Sequence, residues 1–173
     1  MSDKISDPNE LRILAFLLAQ PESDALDALR DMQLSAPWLE QSIAELERIP
    51  LEHWQAEHTQ LFVNGWPKTP CPPFQSAYRQ GQMGGTAVAD LEDLYRRAGL
   101  QASEAPADYL GTMLECAAWL VQQENGTTLL QELEEEHLNR WVPRFARDLH
   151  ENASLRLYRD LGWQISHLYP EAA

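Results

Sequence analysis

Lysine is almost missing from this chain. Only Lys4 and Lys68 occur among 173 residues, and 27 acidic against 13 basic residues leave a formal net charge of -14. Such a field repels phosphate backbones and anionic membrane surfaces, which argues against nucleic acid and favours cationic partners. Acidity also keeps proteins soluble, so it does not by itself name a basic ligand. Cysteine is scarce too. Cys71 and Cys116 form no CxxC pair and give no disulfide framework. Long hydrophobic runs are lacking. The apolar patch Leu11–Ala19 is short, is broken by Arg12 and has no basic leader before it. Nothing approaches the roughly 20 apolar residues of a membrane-spanning helix. The chain reads as cytoplasmic, with no stable membrane insertion.

Period-two strand patterns are equally absent, and helical spacing takes their place. Asp7 caps a helix that has Pro8 in its first turn, with Leu11, Leu14, Ala15 and Leu18 in step, and Pro21 ends it. Ser23 is a candidate cap for a second helix with Leu26, Leu29 and Met32, and Ser35-Ala36-Pro37 opens a third with Leu39, Ile43 and Leu46. After Pro50, Trp54, His58, Leu61 and Phe62 line a fourth. Downstream, Val88, Leu91, Leu94, Tyr95 and Ala98 form a stripe stopped by Gly99. Asp108 is placed to cap an apolar helix with Leu110, Met113, Leu114, Ala117, Leu120 and Val121, which Asn125-Gly126 ends. Leu129, Leu130 and Leu133 continue the period, then Leu138, Trp141, Val142, Phe145 and Leu149, with Pro143 at a helix start or kink. Ser154 is a candidate cap for the last helix, with Leu157, Tyr158, Leu161, Ile165 and Leu168. The expected fold is all-α, a single compact multi-helix domain over residues 1–173 with a proline-rich loop in its middle.

Catalytic signatures are mostly lacking. None of the five histidines pairs with another at helical metal-binding spacing, and His53 and His58 lie on different helix faces. Glu134 and His137 give one ExxH pair where carboxylate bundles use two, so a solvated charged face is the simpler reading. Ser76 lies in PFQSAY rather than in a nucleophile elbow, and Cys71 stands between prolines without a basic neighbour. Gly81, Gly84 and Gly85 do not make a phosphate loop. No enzyme, metal or cofactor is indicated.

One stretch remains unexplained by helices alone. LFVNGWPKTPCPPFQSAY, residues 61–78, holds four prolines with Trp66, Phe74 and Tyr78. Prolines fix the backbone and lower the entropy lost when a groove is organised for a ligand. Its aromatic rings either plug the protein's own core or face an apolar peptide. This stretch is similar to the LFxG…PP[WF]xS[VA][YW] block of the TorD/DmsD-type redox enzyme maturation chaperones. APADYLGTMLECAAWL, residues 105–120, is similar to the EPxDHxGxxLxxxAWL block of the same family.

The resemblance implies a non-enzymatic, cytosolic all-helical chaperone that attends a molybdenum-cofactor oxidoreductase. It would bind the client's twin-arginine signal peptide or its apo form and assist cofactor insertion before export. Carried over position by position, the client-binding residues are Leu61, Phe62, Trp66, Pro72, Pro73, Phe74, Ser76, Tyr78, Pro106 and Asp108, with Tyr109 standing where the family usually has His. Asp108 is the expected partner of the leader's arginines. Ala105 and Ala107 replace acidic residues of the family block, and Asn64-Gly65 adds one residue to the first. A non-exported metalloenzyme is the alternative client. A small metal-dependent hydrolase using Glu134 and His137 is the competing class. The loops at 64–86 and 99–107 suggest a monomer with a possible domain-swapped dimer.

Overall fold

The computed structural model describes residues 6–79, 86–101 and 104–172, so the GQMGG glycines, Lys4 and parts of both expected hinge loops lie outside the described residues. The elements are α1 (Pro8–Leu18), α2 (Ala25–Met32), a 3-10 turn (Pro37–Leu39) leading into α3 (Glu40–Leu46), and α4 (Leu51–His58). They continue with α5 (Gln75–Tyr78), α6 (Thr86–Arg97), α7 (Leu110–Val121), α8 (Thr127–Leu133), α9 (Asn139–Asn152) and α10 (Arg156–Leu168). The fold is all-α. Among the described residues the only strand-like pairing is an isolated bridge between Phe74 and Tyr109.

The apolar stripes read from the sequence are the faces that pack. Asp7 caps α1, accepting the Asn9 N–H at 3.0 Å, and Leu11, Leu14, Ala15 and Leu18 are buried. α1 lies along α7, whose Leu110, Met113, Leu114, Ala117 and Leu120 are buried, while Val121 is half-buried. α9 and α10 form the other extensive pair. Gly162 lets them approach: a Cβ there would stand 2.8 Å from both the Ala146 carbonyl and the His150 amide. An aromatic cluster fills the centre. Phe62 meets Phe145 and Tyr158 at ring distances of 6.3 and 5.4 Å, and Trp141 meets Phe145 at 5.8 Å. The Trp54 indole N–H donates to the Tyr158 hydroxyl at 3.0 Å, as a buried ring with a polar edge requires.

Two π-helical turns, Thr59–Val63 after α4 and Glu134–Leu138 between α8 and α9, break the regular 3.6-residue register. The second directly precedes the part of α9 that holds Pro143, so the helix carries its proline without ending.

The caps differ from their sequence assignments in three places. α2 starts from Asp24, not Ser23, and α10 from Leu155, not Ser154, neither with a side-chain bond from the helix's own cap residue. α10 is instead capped from α3 and α4, because the Glu57 carboxylate accepts the amides of Ser154 and Leu155 at 2.7 and 2.6 Å and the Glu45 carboxylate accepts that of Arg156 at 2.9 Å. α7 starts from Tyr109, and the Asp108 side chain caps a different helix.

Candidate functional site

The proline-rich stretch divides into a fastened half and a projecting half. The π-helical turn after α4 turns both Leu61 and Phe62 inward, at 2% and 4% exposure, and leaves Val63 outside at 65%. The chain then makes its own small loop. Asn64 N–H donates to the Thr59 carbonyl at 2.8 Å, Gly65 N–H to the Thr69 hydroxyl at 3.3 Å, and Cys71 N–H returns to the Leu61 carbonyl at 2.9 Å. Trp66 stands at the outside of this loop with 90% exposure.

From Cys71 onward the backbone is bolted to the segment before α7. Gln75 N–H donates to the Asp108 carbonyl at 3.1 Å, and Leu110 N–H donates to the Pro73 carbonyl at 2.9 Å. The Asp108 carboxylate accepts the Ser76 N–H at 3.0 Å, satisfying one of the free amides at the start of α5. Asp108 is therefore buried, at 5% exposure, and its side chain is spent on scaffold. Tyr95 adds a further tie, donating its hydroxyl to the Ala107 carbonyl at 2.6 Å. The two sequence blocks form one clamped unit.

Phe74 and Tyr109 seal the edge of the clamp, with ring centroids 5.7 Å apart and both rings half-buried. The Tyr109 ring lies directly over Gly111, where any Cβ would collide with it. Burial, and secondarily Glu115, raises the Tyr109 phenol above its ordinary pKa. It is a neutral edge where an imidazole would titrate. Tyr78 faces inward against Trp141 at 5.5 Å and donates to the Asp148 carboxylate at 2.9 Å. Burial first, and that bond second, push its phenol up, and Arg144 stacks over the ring at 5.7 Å. Cys71 is fully buried, and burial, helped by the Asp148 charge, pushes its thiol up to about 12.

The expected client-binding residues thus separate. Leu61, Phe62 and Pro73 are core, and Asp108 is a buried cap rather than an open carboxylate. Pro72, Phe74, Ser76, Tyr78 and Tyr109 are half-buried, while Trp66 and Pro106 are exposed. Val63, beside Trp66, was not among them. It ends the π-helical turn after α4, and helical spacing gives no reason for its use. Glu134 and His137 do not converge. Glu134 lines a cavity beside the C-terminal tail, whereas His137 lines another with Arg79 and Arg97 and pairs through Nδ1 with Gln75 Oε1 at 3.2 Å. No group of three metal-ligating side chains exists among the described residues.

These features can be set beside known proteins. Residues 18–147 match the nitrate reductase delta subunit family, spanning both halves of the clamp. The chain belongs to that family. Chaperone protein YcdY of Escherichia coli (strain K12) is 27% identical over 168 residues, covering 88% of each chain. A crystal structure from Archaeoglobus fulgidus, described as a candidate redox enzyme maturation protein, has the same fold. It superposes with a TM-score of 0.69 at 21% identity, over 93% of this chain and 92% of that one. The TorD/DmsD-type resemblance read from the two blocks holds, and the chain is a member of the redox enzyme maturation chaperone family. No helix among its described residues is long and apolar enough to cross a membrane.

Proposed function

We propose that this chaperone works in the cytoplasm and binds the twin-arginine signal peptide of a molybdenum-cofactor oxidoreductase, holding the apo form for cofactor insertion before export. The observation that carries the reading is the exposed pair Val63 and Trp66 on the loop that leads into the clamp. Val63 and Trp66 project from a scaffold fixed by backbone hydrogen bonds, with Phe74 and Tyr109 half-open at the clamp's edge. A projecting aromatic residue on a rigid base is the kind of anchor that dominates peptide and protein recognition. The apolar stretch that follows the leader's arginines supplies the complementary surface. The net charge of -14 draws the arginines in at long range.

One observation favours a second client. Asp108, the carboxylate expected to pair with an arginine, is buried and already accepts the Ser76 amide. A partly folded, non-exported metalloenzyme that docks on the apolar edge needs no such pair. Calorimetric titration with two leaders separates the readings. If the leader is the ligand, changing both of its arginines to glutamine weakens binding and makes it less sensitive to salt. Equal affinity for the two leaders promotes the folded client. Asp108→Asn keeps an oxygen acceptor for Ser76, so in either case it leaves the fold in place.

A further inference from the structure

Arg96 and Arg97 are the only adjacent arginines in the chain, and apolar Ala98 and Leu100 follow them. Both are held by carboxylates. Arg96 pairs with Asp93, one turn back on α6. Arg97 donates from Nε to the same Asp93 at 2.8 Å, and its two other nitrogens reach both oxygens of Glu132 on α8 at 3.0 and 2.6 Å. The Glu132 contact is the two-pronged fit of a planar guanidinium on a carboxylate, which an ammonium group does not reproduce. The side chains of Arg97, Asp93 and Glu132 are 42%, 43% and 35% exposed. Ion pairs in such a setting contribute little to stability, so one guanidinium can be exchanged for another at small cost.

These groups stand at a pocket of about 320 Å3 between α6, α8 and the π-helical turn before α9. Asp90, Asp93, Glu132 and Glu136 line it against two cations, Arg79 and Arg97. Arg79 is spent on a backbone carbonyl, that of Glu136, at 3.2 Å. Among the described residues Asp90 makes no hydrogen bond or ion pair, and the Glu136 carboxylate meets only Arg140, at 3.4 Å. The residues beside Arg79 that lie outside the described ones, 80–85, read QGQMGG and carry no charge. His137 also lines the pocket, although it is 4% exposed. Its Nδ1 bonds Gln75 Oε1, and an amide oxygen only accepts, so the proton sits on Nδ1. Nε2 is left with a lone pair and no hydrogen bond among the described residues.

We propose that this pocket is an arginine-binding site, which Arg97 fills in the free protein and an arginine of a bound client segment takes over. The incoming guanidinium replaces Arg97 on Glu132 and gains two groups that Arg97 leaves unused, the Asp90 carboxylate and the His137 lone pair. The assignment deepens the leader reading and rests on it. Asp108 is buried under the Ser76 amide, and the pocket supplies the accessible carboxylates that Asp108 does not. α5 connects the two places, since Gln75 at its start is bonded to the clamp and Arg79 just beyond its end lines the pocket.

The probe is a fluorescein-labelled peptide, Ser-Arg-Arg-Leu-Leu-Ala-Ser, compared with copies holding Lys-Lys or Gln-Gln in place of Arg-Arg. Wild type should prefer the Arg-Arg copy to the Lys-Lys copy by about fivefold, and Gln-Gln should bind most weakly. Arg97→Gln removes the resident guanidinium and should raise Arg-Arg affinity by about fivefold, with no gain for Gln-Gln. Arg30→Gln makes the same charge change in a surface pair with Asp27 and Glu47, and should give no such gain. Asp90→Asn, at an exposed position that leaves the fold in place, and Glu132→Gln should each lower Arg-Arg affinity by about fivefold. An Arg-Arg preference untouched by both of these variants overturns the assignment and leaves the leader reading standing. Equal affinity of wild type for all three copies overturns both. An Arg97→Gln protein that gains nothing makes Arg97 a structural pair and overturns the assignment. So does an equal gain in Arg30→Gln, which would reduce the effect to net charge.

Discussion

Phe62 and Trp66 are both large aromatic residues, four positions apart, yet one is 4% exposed and the other 90%. Phe62 ends up among Phe145, Tyr158 and His58, whereas Trp66 hangs on a loop held mainly by its own short-range bonds. The fastened half of the segment differs again, since its backbone is joined to residues more than thirty positions away, as in the Ser76–Asp108 bond. Rigidity and exposure are thus supplied by different stretches. The clamp gives the stiffness, and the loop gives the surface.

The sharpest way to break this contrast is to truncate both rings. Phe62→Ala opens a cavity in the aromatic cluster and should cost about 3–5 kcal/mol in denaturant unfolding, the usual loss for a buried Phe. A loss under about 1 kcal/mol would show the ring to be peripheral. Next in size is the remote cap. Glu57→Ala removes the acceptor of the Ser154 and Leu155 amides and should cost about 1–2 kcal/mol, whereas Ser154→Ala should be near neutral. The opposite order would restore the local cap.

Acid should act on two buried histidines. Burial lowers the pKa of His58 and of His137 below the ordinary 6.5. His58 donates from Nε2 to the Leu18 carbonyl at 2.8 Å, a bond that favours the charged ring, but burial outweighs it and keeps the ring neutral in the fold. A group whose folded pKa is depressed in this way gives the unfolded chain the greater proton affinity. Stability is then complete above pH 6.5 and falls as pH drops through that value toward the folded pKa. Glu134 works in the other direction, since its raised pKa makes protonation stabilising as pH falls. The midpoint temperature of His58→Gln should therefore depend less on pH between 7 and 5 than that of wild type. An identical slope would mean that His58 is not held neutral.

Smaller still is the effect of Glu134→Gln on stability, a slight rise at neutral pH because a half-buried charge with no cation acting on it among the described residues is removed. A fall in midpoint temperature would show a cation near Glu134.

Much of this was legible in the sequence, and the rest has a common physical cause. The stripe Leu11, Leu14, Ala15, Leu18 and the Asp7 cap are local, so periodicity and capping chemistry reveal them. The target of Asp108 was misread because it caps a helix 32 residues earlier, and the cap of α10 was missed because Glu57 lies 97 residues from Ser154. Side chains that satisfy remote amides leave no spacing signal. The π-helical turns are invisible for a related reason, since the 3.6-residue pattern runs through them without marking the extra residue. The PP-F-QSAY and PADY blocks indicate a shared surface, but only the bonds Gln75–Asp108 and Leu110–Pro73 show that they are one clamp. Which of its rings faces out depends on Asn64-Gly65 turning the chain, and composition does not reveal that.

The central claim is that the projecting loop binds and the clamp supports it. Trp66→Ala tests it most directly, with unfolding and leader affinity measured on the same sample. An exposed substitution should change stability by no more than about 0.5 kcal/mol. Removing a binding anchor should weaken leader affinity by 1 kcal/mol or more, about fivefold or greater. Full affinity together with a large loss of stability would contradict the account, making Trp66 part of the core and the loop no binding surface.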